Sequence, residues 1–544
     1  MDRKTKTKYF AIGILVLAGC VTTHKISRNG TKEQRQLSQQ GASEATEEQA
    51  KDLHSFLQQR MGEDRIKEIR DSCEKGAPLF HCFTFINRER LEARAETAKQ
   101  MSRPSRHLIK AVLPKIKNSK IVNWMDLRFA QVSALLRGVG SANSGQLEVL
   151  KTAALSEKNC PNNIAVAVAA TLEDGLPNPA LVPTIATLYE KGANCLGSFP
   201  LDQETLWTRA GLFYFWHRDY VKSSQVFEKA SLIAGSYAGR SLYWLSKSYQ
   251  ERKLSRDSEK ALETLRSRYP FSFHSLVGWL ANKEDPGKVL EKSFPLQAAR
   301  SGNTPGLNSL LEQVEVLKRF GFDPSASLVL EWASVISEGS EPEVRVYIAE
   351  LKKDEGDYQS KISILSDVLY HNPSLISRET MELYFPKVFF PIFESNSQGL
   401  DPYLLLAIAR RESAFNPKAV SSAKAKGLLQ LLPSTANRIS ENPNLEDPET
   451  NVTVGAKFLQ GLMGRLDGRI YLALAAYNAG PERLRIWTDR YLTDDPILFI
   501  DLIPYRETRE YVASVLRNYY WYRRLHVTSE NQIAHELIPH KAQP

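Results

Sequence analysis

The chain has 544 residues, 42% of them hydrophobic, and its 71 lysines and arginines outnumber its 62 acidic residues to give a formal net charge of +9. At roughly 150 residues per domain, this length is too great for one compact core. The hydrophobic share excludes a chain that is disordered throughout. The basic excess is small for this length and is weak evidence for an anionic partner.

The first twenty residues are predicted to be a targeting signal. The basic residues Arg3, Lys4, Lys6 and Lys8 precede the apolar run 10–17. That run is about half as long as a membrane-spanning helix, which is typical of a signal-peptide core. It ends in Leu17-Ala18-Gly19-Cys20, which resembles the lipobox of bacterial lipoproteins, whose cysteine is acylated. An ordinary signal peptide followed by a chance cysteine is the alternative.

The lipobox resemblance implies a signal peptide over residues 1–19 and attachment to a membrane through lipid on Cys20. Residues 20–51 are then a tether, because positions 21–50 contain no Phe, Trp or Tyr and cannot bury enough apolar surface to fold. Val21 rather than Asp follows the cysteine, which permits sorting to the outer membrane. We therefore expect a periplasmic protein with a lipid anchor in the outer membrane.

The other four cysteines are even in number, and an exported chain meets an oxidising compartment in which disulfides persist. Three pairings are possible, and we favour Cys73–Cys82 with Cys160–Cys195 because each joins near neighbours in the sequence. Metal binding is the competing interpretation, but no histidine lies beside them at the spacing of a zinc finger.

Residues 52–390 are predicted to form an α-solenoid, since apolar residues recur there at three- and four-residue spacing. Part of this region repeats after 35 positions, and a similar unit spans Val346 to Pro373. The repeated positions are Trp207, Tyr214, Phe227 and Ala230, followed by Leu242, Tyr249, Leu262 and Leu265. The period resembles tetratricopeptide-like helix pairs, which bury their apolar faces by stacking on neighbours. A solenoid by itself favours an interaction protein whose partners remain unknown.

Residues 391–528 are predicted to form a second helical domain, followed by a tail over 529–544. Asp401-Pro402 is typical of a helix N-cap followed by proline in the first turn. Along this helix an apolar stripe ends at Glu412. A carboxyl group removed from water has a raised pKa, which is the condition for a general acid near neutral pH. A glutamate in the last turn of a frayed helix is the alternative.

Three further segments decide between these interpretations. They are RRESAFNPKAVSSAKAKGLLQLLPSTA (410–436), ALAAYNAGPERLRIW (473–487) and IPYRETREYVASVLRNYYWY (503–522). Together they resemble the catalytic domain of the lytic murein transglycosylases over about residues 384 to 526. More loosely, residues 205 to 285 resemble the superhelical part of the soluble lytic transglycosylases. The resemblance implies an all-α protein with a lysozyme-like catalytic domain.

The resemblance also implies the roles of individual residues. Glu412 corresponds to the single catalytic acid and base of the family. The residues that match substrate-binding positions are Ser413, Ser421, Gly427, Gln430, Tyr477, Asn478 and Glu507. Asn478-Ala479-Gly480-Pro481 also has the pattern of one helix ending and the next beginning.

Two positions depart from the family pattern. Leu429 stands where methionine is common, and this exchange nearly conserves volume. Lys424 stands where relatives usually have glycine. A glycine there could hold a positive φ that lysine adopts at a cost, and a lysine close to Glu412 would favour the ionised carboxylate.

The expected activity is cleavage of the bond between N-acetylmuramic acid and N-acetylglucosamine in peptidoglycan glycan strands, with a 1,6-anhydro product. Two alternatives stay open: a hydrolytic muramidase of the goose-type lysozyme kind, and a non-catalytic lipoprotein that grips glycan. The sequence contains no motif for a metal or nucleotide, so no cofactor is expected. The mild basicity gives no evidence for nucleic acid.

Overall fold

The computed structural model describes residues 152, 154–155, 164–174, 176, 178–196, 200–282, 284–291, 305–319, 323–337, 341–354, 356–491 and 493–527. These residues lie in one compact unit of the chain. Their regular elements are helices, and the only β-type pairing in this part of the chain is two isolated bridges in the loop 420–431. The all-α prediction is confirmed for the described residues. The predictions for residues 1–19, Cys20, 20–51, Cys73, Cys82, Cys160 and the tail lie outside them.

The first part of the described chain is a series of helical hairpins. Its helices are α1 (Ile164–Asp174), α2 (Val182–Asn194), α3 (Pro200–Trp216), α4 (Tyr220–Ser231), α5 (Ala238–Glu251), α6 (Ser255–Arg268) and α7 (Phe273–Ala281). Each helix from α1 to α6 packs against the next in sequence. The 35-residue repeat corresponds to the pairs α3–α4 and α5–α6, so the helix-pair prediction is confirmed here. Cys195 directly follows α2; its predicted partner is outside the described residues, so that pairing stays a prediction.

Further hairpins follow. The helices are α8 (Pro305–Arg319), α9 (Asp323–Ile336), α10 (Pro342–Asp354), α11 (Tyr358–His371) and α12 (Arg378–Tyr384). Leu311, Leu330 and Ile348 are buried in a core shared by α8, α9 and α10. The pair α10–α11 is the unit that the sequence predicted over Val346 to Pro373.

The C-terminal helical domain is built from short helices with strong start signals. They are α13 (Phe390–Ser395), α14 (Pro402–Glu412), α15 (Pro433–Ala436), α16 (Pro448–Arg465), α17 (Ile470–Ala479), α18 (Pro481–Arg490), α19 (Pro496–Leu502) and α20 (Arg506–His526). Five of them begin with proline, whose missing N–H costs nothing in the first turn. Asp401, Asp447 and Asp495 cap three of these with side-chain hydrogen bonds.

The long helix α20 organises this domain. It packs against α14 and α17, and at the hairpin side it contacts α7 and α12. Its buried aromatic residues include Tyr511, Tyr519 and Trp521. Because α14 and α17 carry Glu412 and Tyr477 at their C-terminal ends, α20 holds both ends against one surface.

A buried cluster of charges joins the hairpins to the C-terminal domain. Asp501 of α19 is fully buried and accepts hydrogen bonds from Arg240 (2.7 Å) and Trp244 (2.6 Å) of α5. Its second oxygen also lies 2.7 Å from Nε2 of His274 in α7. These bonds fix the position of α19 against two helices of the hairpin array.

Within the described residues, no helix is long and apolar enough to cross a membrane.

Candidate active site

Glu412 is the last residue of α14. Asp401 starts this helix by accepting a hydrogen bond from the Tyr403 amide at 2.8 Å, as the sequence predicted. The helix buries Leu405, Ile408 and Ala409 completely, so the apolar stripe leads directly to the carboxyl group. Glu412 itself is half-buried at the surface of the site.

The surroundings of Glu412 raise its pKa to about 7, chiefly through burial, which penalises the charged form. The negative charge of Glu507 raises the pKa further, whereas a hydrogen bond from Tyr511 and the positive charge of Arg411 lower it. The cation that acts on this carboxyl group is therefore Arg411, its neighbour in the chain, rather than Lys424. Near neutral pH the group can both give and accept a proton.

Two tyrosines from different helices face Glu412. Burial and the charge of Glu412 raise the pKa of Tyr477 and of Tyr511 well above that of free tyrosine, so both hydroxyls are neutral. Within the described residues the Tyr511 hydroxyl has no partner other than Glu412. The sequence analysis did not identify Tyr511. Its position four residues after Glu507, on the same face of α20, was the available signal.

The chain leaves α14 through two strained residues. Ala414 and Phe415 have φ values of 47° and 68°, in the left-handed region that disfavours residues with a Cβ atom. Phe415 is buried, and its ring packs edge-on against Tyr358 of α11 at 6.0 Å. The turn after Glu412 is thus held by a contact with the hairpin array.

Ser413 fastens the end of α14 to the loop that follows. Its hydroxyl lies 2.9 Å from the carbonyl oxygen of Leu428 and 3.2 Å from that of Ala409. The side chain is buried, so its visible contacts are with the protein backbone. Substrate binding by Ser413 stays a prediction.

The loop 419–431 is a compact turn in which Gly427 and Gln430 hold each other. The Gln430 side-chain amide donates to the carbonyl oxygens of Gly427 (2.9 Å) and Ala419 (3.0 Å). Gly427 has a φ of 79°, and a Cβ atom there would lie 2.1 Å from the Asn451 side chain and 2.2 Å from the Leu445 carbonyl oxygen. Only glycine fits this position.

Asn451 and Tyr477 hold the backbone of Leu429 from two sides. The Asn451 side chain is fully buried and accepts from the Leu429 amide at 2.8 Å, while it donates to the carbonyl oxygens of Lys426 and Leu445. The Tyr477 hydroxyl donates to the Leu429 carbonyl oxygen at 2.8 Å. The sequence analysis missed Asn451, which directly precedes Val452 in the helical segment 448–465.

Ser421 makes its visible contacts within its own turn. Its hydroxyl accepts a hydrogen bond from the Ala425 amide at 3.0 Å, and its carbonyl oxygen accepts from the Lys424 amide at 2.9 Å. Lys424 is exposed at the tip of this turn with a φ of 64°. The positive φ considered for this position is confirmed.

Asn478 and Glu507 lie at the junction of α17 and α20. The Asn478 side-chain oxygen accepts a hydrogen bond from the Thr508 hydroxyl at 2.6 Å. Glu507 is exposed in the first turn of α20, close enough to Glu412 to influence its charge. As the pattern predicted, α17 ends at Ala479 and α18 begins at Pro481.

A cavity of about 860 Å³ adjoins Ala414, in the turn that follows Glu412. Its wall combines Ala414, Ser514 and Arg517 of the C-terminal domain with Tyr269 and Tyr370 of the hairpins. Two acidic residues of the loop before α16 have structural partners. Glu446 pairs with Lys426 at 3.0 Å, and Asp447 caps α16. Over the described ranges, no group of His, Cys, Asp and Glu side chains could hold a metal ion.

Residues 390–499 match the family model of the transglycosylase SLT domain. Glu412, Tyr477 and Asn451 lie inside the matched residues, whereas Glu507 and Tyr511 follow them.

The sequence is similar to that of the soluble lytic murein transglycosylase of Escherichia coli K12, with 36% identity over 155 residues, which are 26% of this chain and 24% of that protein. It is also similar to the membrane-bound lytic murein transglycosylase F of Histophilus somni, with 37% identity over 106 residues, 18% of this chain and 22% of that protein. The chain thus spans about a quarter of the length of the curated relatives that it matches.

Among solved structures, the crystal structure of the 70-kDa soluble lytic transglycosylase of Escherichia coli aligns with a TM-score of 0.49 and 19% identity. That alignment covers 86% of this chain and 80% of the other.

Proposed function

We propose that this protein is a lytic transglycosylase of peptidoglycan, with Glu412 as its general acid and then its general base. The single observation that carries the proposal is a carboxyl group with a pKa of about 7 at the end of an apolar helix inside a transglycosylase SLT domain. The names of the relatives, which are lytic murein transglycosylases, support the same substrate class.

In the first step, protonated Glu412 gives its proton to the oxygen that links N-acetylmuramic acid to N-acetylglucosamine. The bond from that oxygen to C1 of the muramic acid breaks through an oxocarbenium-like transition state. Tyr477 and Tyr511 surround the carboxyl group with neutral hydroxyls, and Tyr511 supports the carboxylate that remains by hydrogen bonding.

In the second step, the Glu412 carboxylate accepts the proton of the C6 hydroxyl, whose oxygen bonds to C1 of the same sugar. The product is a 1,6-anhydro sugar, no water is consumed, and Glu412 regains its proton. An intramolecular nucleophile supplies by proximity what a second carboxylate supplies in ordinary glycosidases. Glu507, which is exposed and acts on Glu412 only through its charge, is assigned to contact with the peptide stem.

Purified sacculi test this proposal. We expect the wild-type protein to release soluble fragments, and Glu412→Gln to lose nearly all of this activity. The exposed, matched variant Glu482→Gln should retain it. Equal release by Glu412→Gln would refute Glu412 as the catalytic acid. Binding to sacculi without release by the wild type would favour the non-catalytic glycan-binding lipoprotein, and new reducing ends on muramic acid would favour the hydrolytic muramidase.

We further propose export to the periplasm, lipid attachment at Cys20 to the outer membrane, and the disulfides Cys73–Cys82 and Cys160–Cys195. The lipobox-like sequence and the even number of remaining cysteines support this. Labelling of cells with a palmitate analogue should mark the wild-type chain and leave Cys20→Ser unmarked. A non-reducing peptide map that finds these thiols free would refute the disulfides.

A further inference from the structure

A second cavity, of about 330 Å³, lies where the hairpins meet the C-terminal domain. It contains neither Glu412 nor Tyr477 and is therefore separate from the proposed active site. Its walls combine apolar side chains of α1 and α3 with charged side chains from both parts of the molecule. The charged residues are Glu173, Arg209, Arg240, Arg490, Asp501 and Arg509.

Both carboxylates of this cavity are already bound to other side chains. Glu173 pairs with Arg209 and accepts a hydrogen bond from Tyr189 at 2.7 Å. Asp501 pairs with Arg240 at 2.7 Å and accepts from Trp244. Arg240 also pairs with Glu510 at 3.1 Å, so the Glu510 carboxylate has an ion-pair partner too.

Arg509 is a buried cation that takes part in none of these ion pairs. It is 7% exposed, and it donates to the Ile503 carbonyl oxygen and, at 3.0 Å, to the Tyr237 hydroxyl. Its Nε atom is buried and has no hydrogen-bond partner among the described residues. No described carboxylate lies within ion-pairing distance of it. Burial and the charges of Arg240 and Arg209 lower the pKa of this guanidinium, and this effect outweighs the opposing influence of Tyr237 and Glu510.

A buried guanidinium without a carboxylate in direct contact is costly, and the same group is well suited to bind an oxyanion with two parallel hydrogen bonds. The cavity offers room for such a ligand next to Arg509, with the half-buried Arg490 and exposed Tyr505 at its wall. Ligand pockets of proteins begin at roughly this size. We infer that this cavity binds a small oxyanion, either phosphate or the carboxylate of a short peptide.

Calorimetric titration of the full chain tests this inference. The probes are inorganic phosphate and N-acetyl-dialanine, each against chloride at equal ionic strength. We expect one probe to bind, with affinity reduced about tenfold or more in Arg509→Met. Arg485→Met, which removes an exposed arginine of α18, is the control and should bind as the wild type does.

Binding of phosphate alone identifies an inorganic or phosphorylated ligand, and binding of the dipeptide alone identifies a peptide carboxylate. If neither probe binds, or if Arg509→Met binds as tightly as the wild type, the inference is wrong. Should Arg509→Met fail to fold, Arg490→Met takes its place, because that side chain is only half-buried. A loss of affinity in that variant supports the site, and unchanged affinity overturns it.

Discussion

The carboxyl group of Glu412 is acted on by neighbours with opposite effects. Burial and the charge of Glu507 raise its pKa, and Tyr511 and Arg411 lower it. The resulting pKa of about 7 keeps a substantial fraction of the acid protonated at neutral pH and leaves its conjugate base available for the second step. A catalyst that uses one carboxyl group twice needs this intermediate value.

Two substitutions should shift the pH dependence of activity in opposite directions. Tyr511→Phe removes a hydrogen bond to the carboxylate, so the pKa of Glu412 rises and the alkaline limb of kcat/KM moves to higher pH. Glu507→Gln removes a negative charge, so the pKa falls and the limb moves to lower pH. Profiles of both variants and of the control Glu482→Gln check this. Shifts of the same sign in the two variants would contradict the electrostatic account.

Lys424 is expected to carry a conformational cost without a catalytic benefit. Its φ of 64° is unfavourable for lysine by roughly 1 kcal/mol, and glycine adopts it freely. Lys424→Gly should therefore raise the free energy of unfolding by up to about 1 kcal/mol in denaturant titrations. The pH profile should not move, because Arg411 is the cation that acts on Glu412. A profile that moves to higher pH would show that Lys424 acts on the acid after all.

Sequence reasoning at the residue scale succeeded where a signal was local. Glu412 ended an apolar stripe that could be read from the periodicity of α14, and Asp401-Pro402 marked the start of that helix. Tyr511 was missed because its role depends on α20 passing beside the end of α14, about a hundred residues earlier in the chain. Tertiary packing, rather than local propensity, brings the two side chains together.

At the scale of elements, the loop 419–431 is fixed by polar clamps rather than by hydrophobic packing alone. Asn451 of α16 and Tyr477 of α17 bind the amide and carbonyl groups of Leu429. Ser413, which directly follows α14, donates to the preceding backbone carbonyl, that of Leu428. Three helices therefore position one turn, which explains how a loop without regular structure keeps a defined shape beside Glu412.

A matched pair of glycine substitutions tests this clamp. Gly427→Ala places a Cβ atom within 2.2 Å of two groups at a φ of 79°, so the loop must move, and we expect a loss of at least about 2 kcal/mol of stability with a large loss of activity. Gly461→Ala lies within helix α16 and meets nothing within 4 Å, so it should stabilise the protein by about 0.5–1 kcal/mol. Thermal unfolding and turnover of sacculi measure both.

If Gly427→Ala kept wild-type stability and activity, the loop would be more adaptable than the clamp implies. The sequence could identify Gly427 and Gln430 only through the resemblance to a family. Gly427 is required because Asn451 and Leu445 approach it, and neither approach can be read from the residues around the glycine.

At the scale of the molecule, Asp501 connects the helical hairpins to the domain that carries Glu412. Its hydrogen bonds with Arg240 and Trp244 join positions 261 and 257 residues apart. Arg240 and His274 lower the pKa of Asp501 far below that of free aspartate. The sequence could not predict the contact between Trp244 and Asp501, because no periodicity encodes a contact over this distance.

Breaking this connection should lower the free energy of unfolding by an amount that depends on pH. A carboxylate whose pKa is lowered by folding stabilises the protein above its unfolded pKa, and this contribution is lost as the pH falls below about 4. Asp501→Asn should therefore cost about 3–5 kcal/mol at neutral pH and progressively less in acid. The exposed control Asp489→Asn should cost less than about 1 kcal/mol. An Asp501→Asn penalty independent of pH would refute the charge-based explanation.

The most direct test of the central claim, cleavage without water by Glu412, is digestion of sacculi in water enriched in oxygen-18. We predict that mass spectrometry finds muramic acid ends lacking one water and carrying no heavy oxygen, and that Glu412→Gln yields almost none of them. Reducing muramic acid ends that carry heavy oxygen would show hydrolysis and contradict the proposed mechanism.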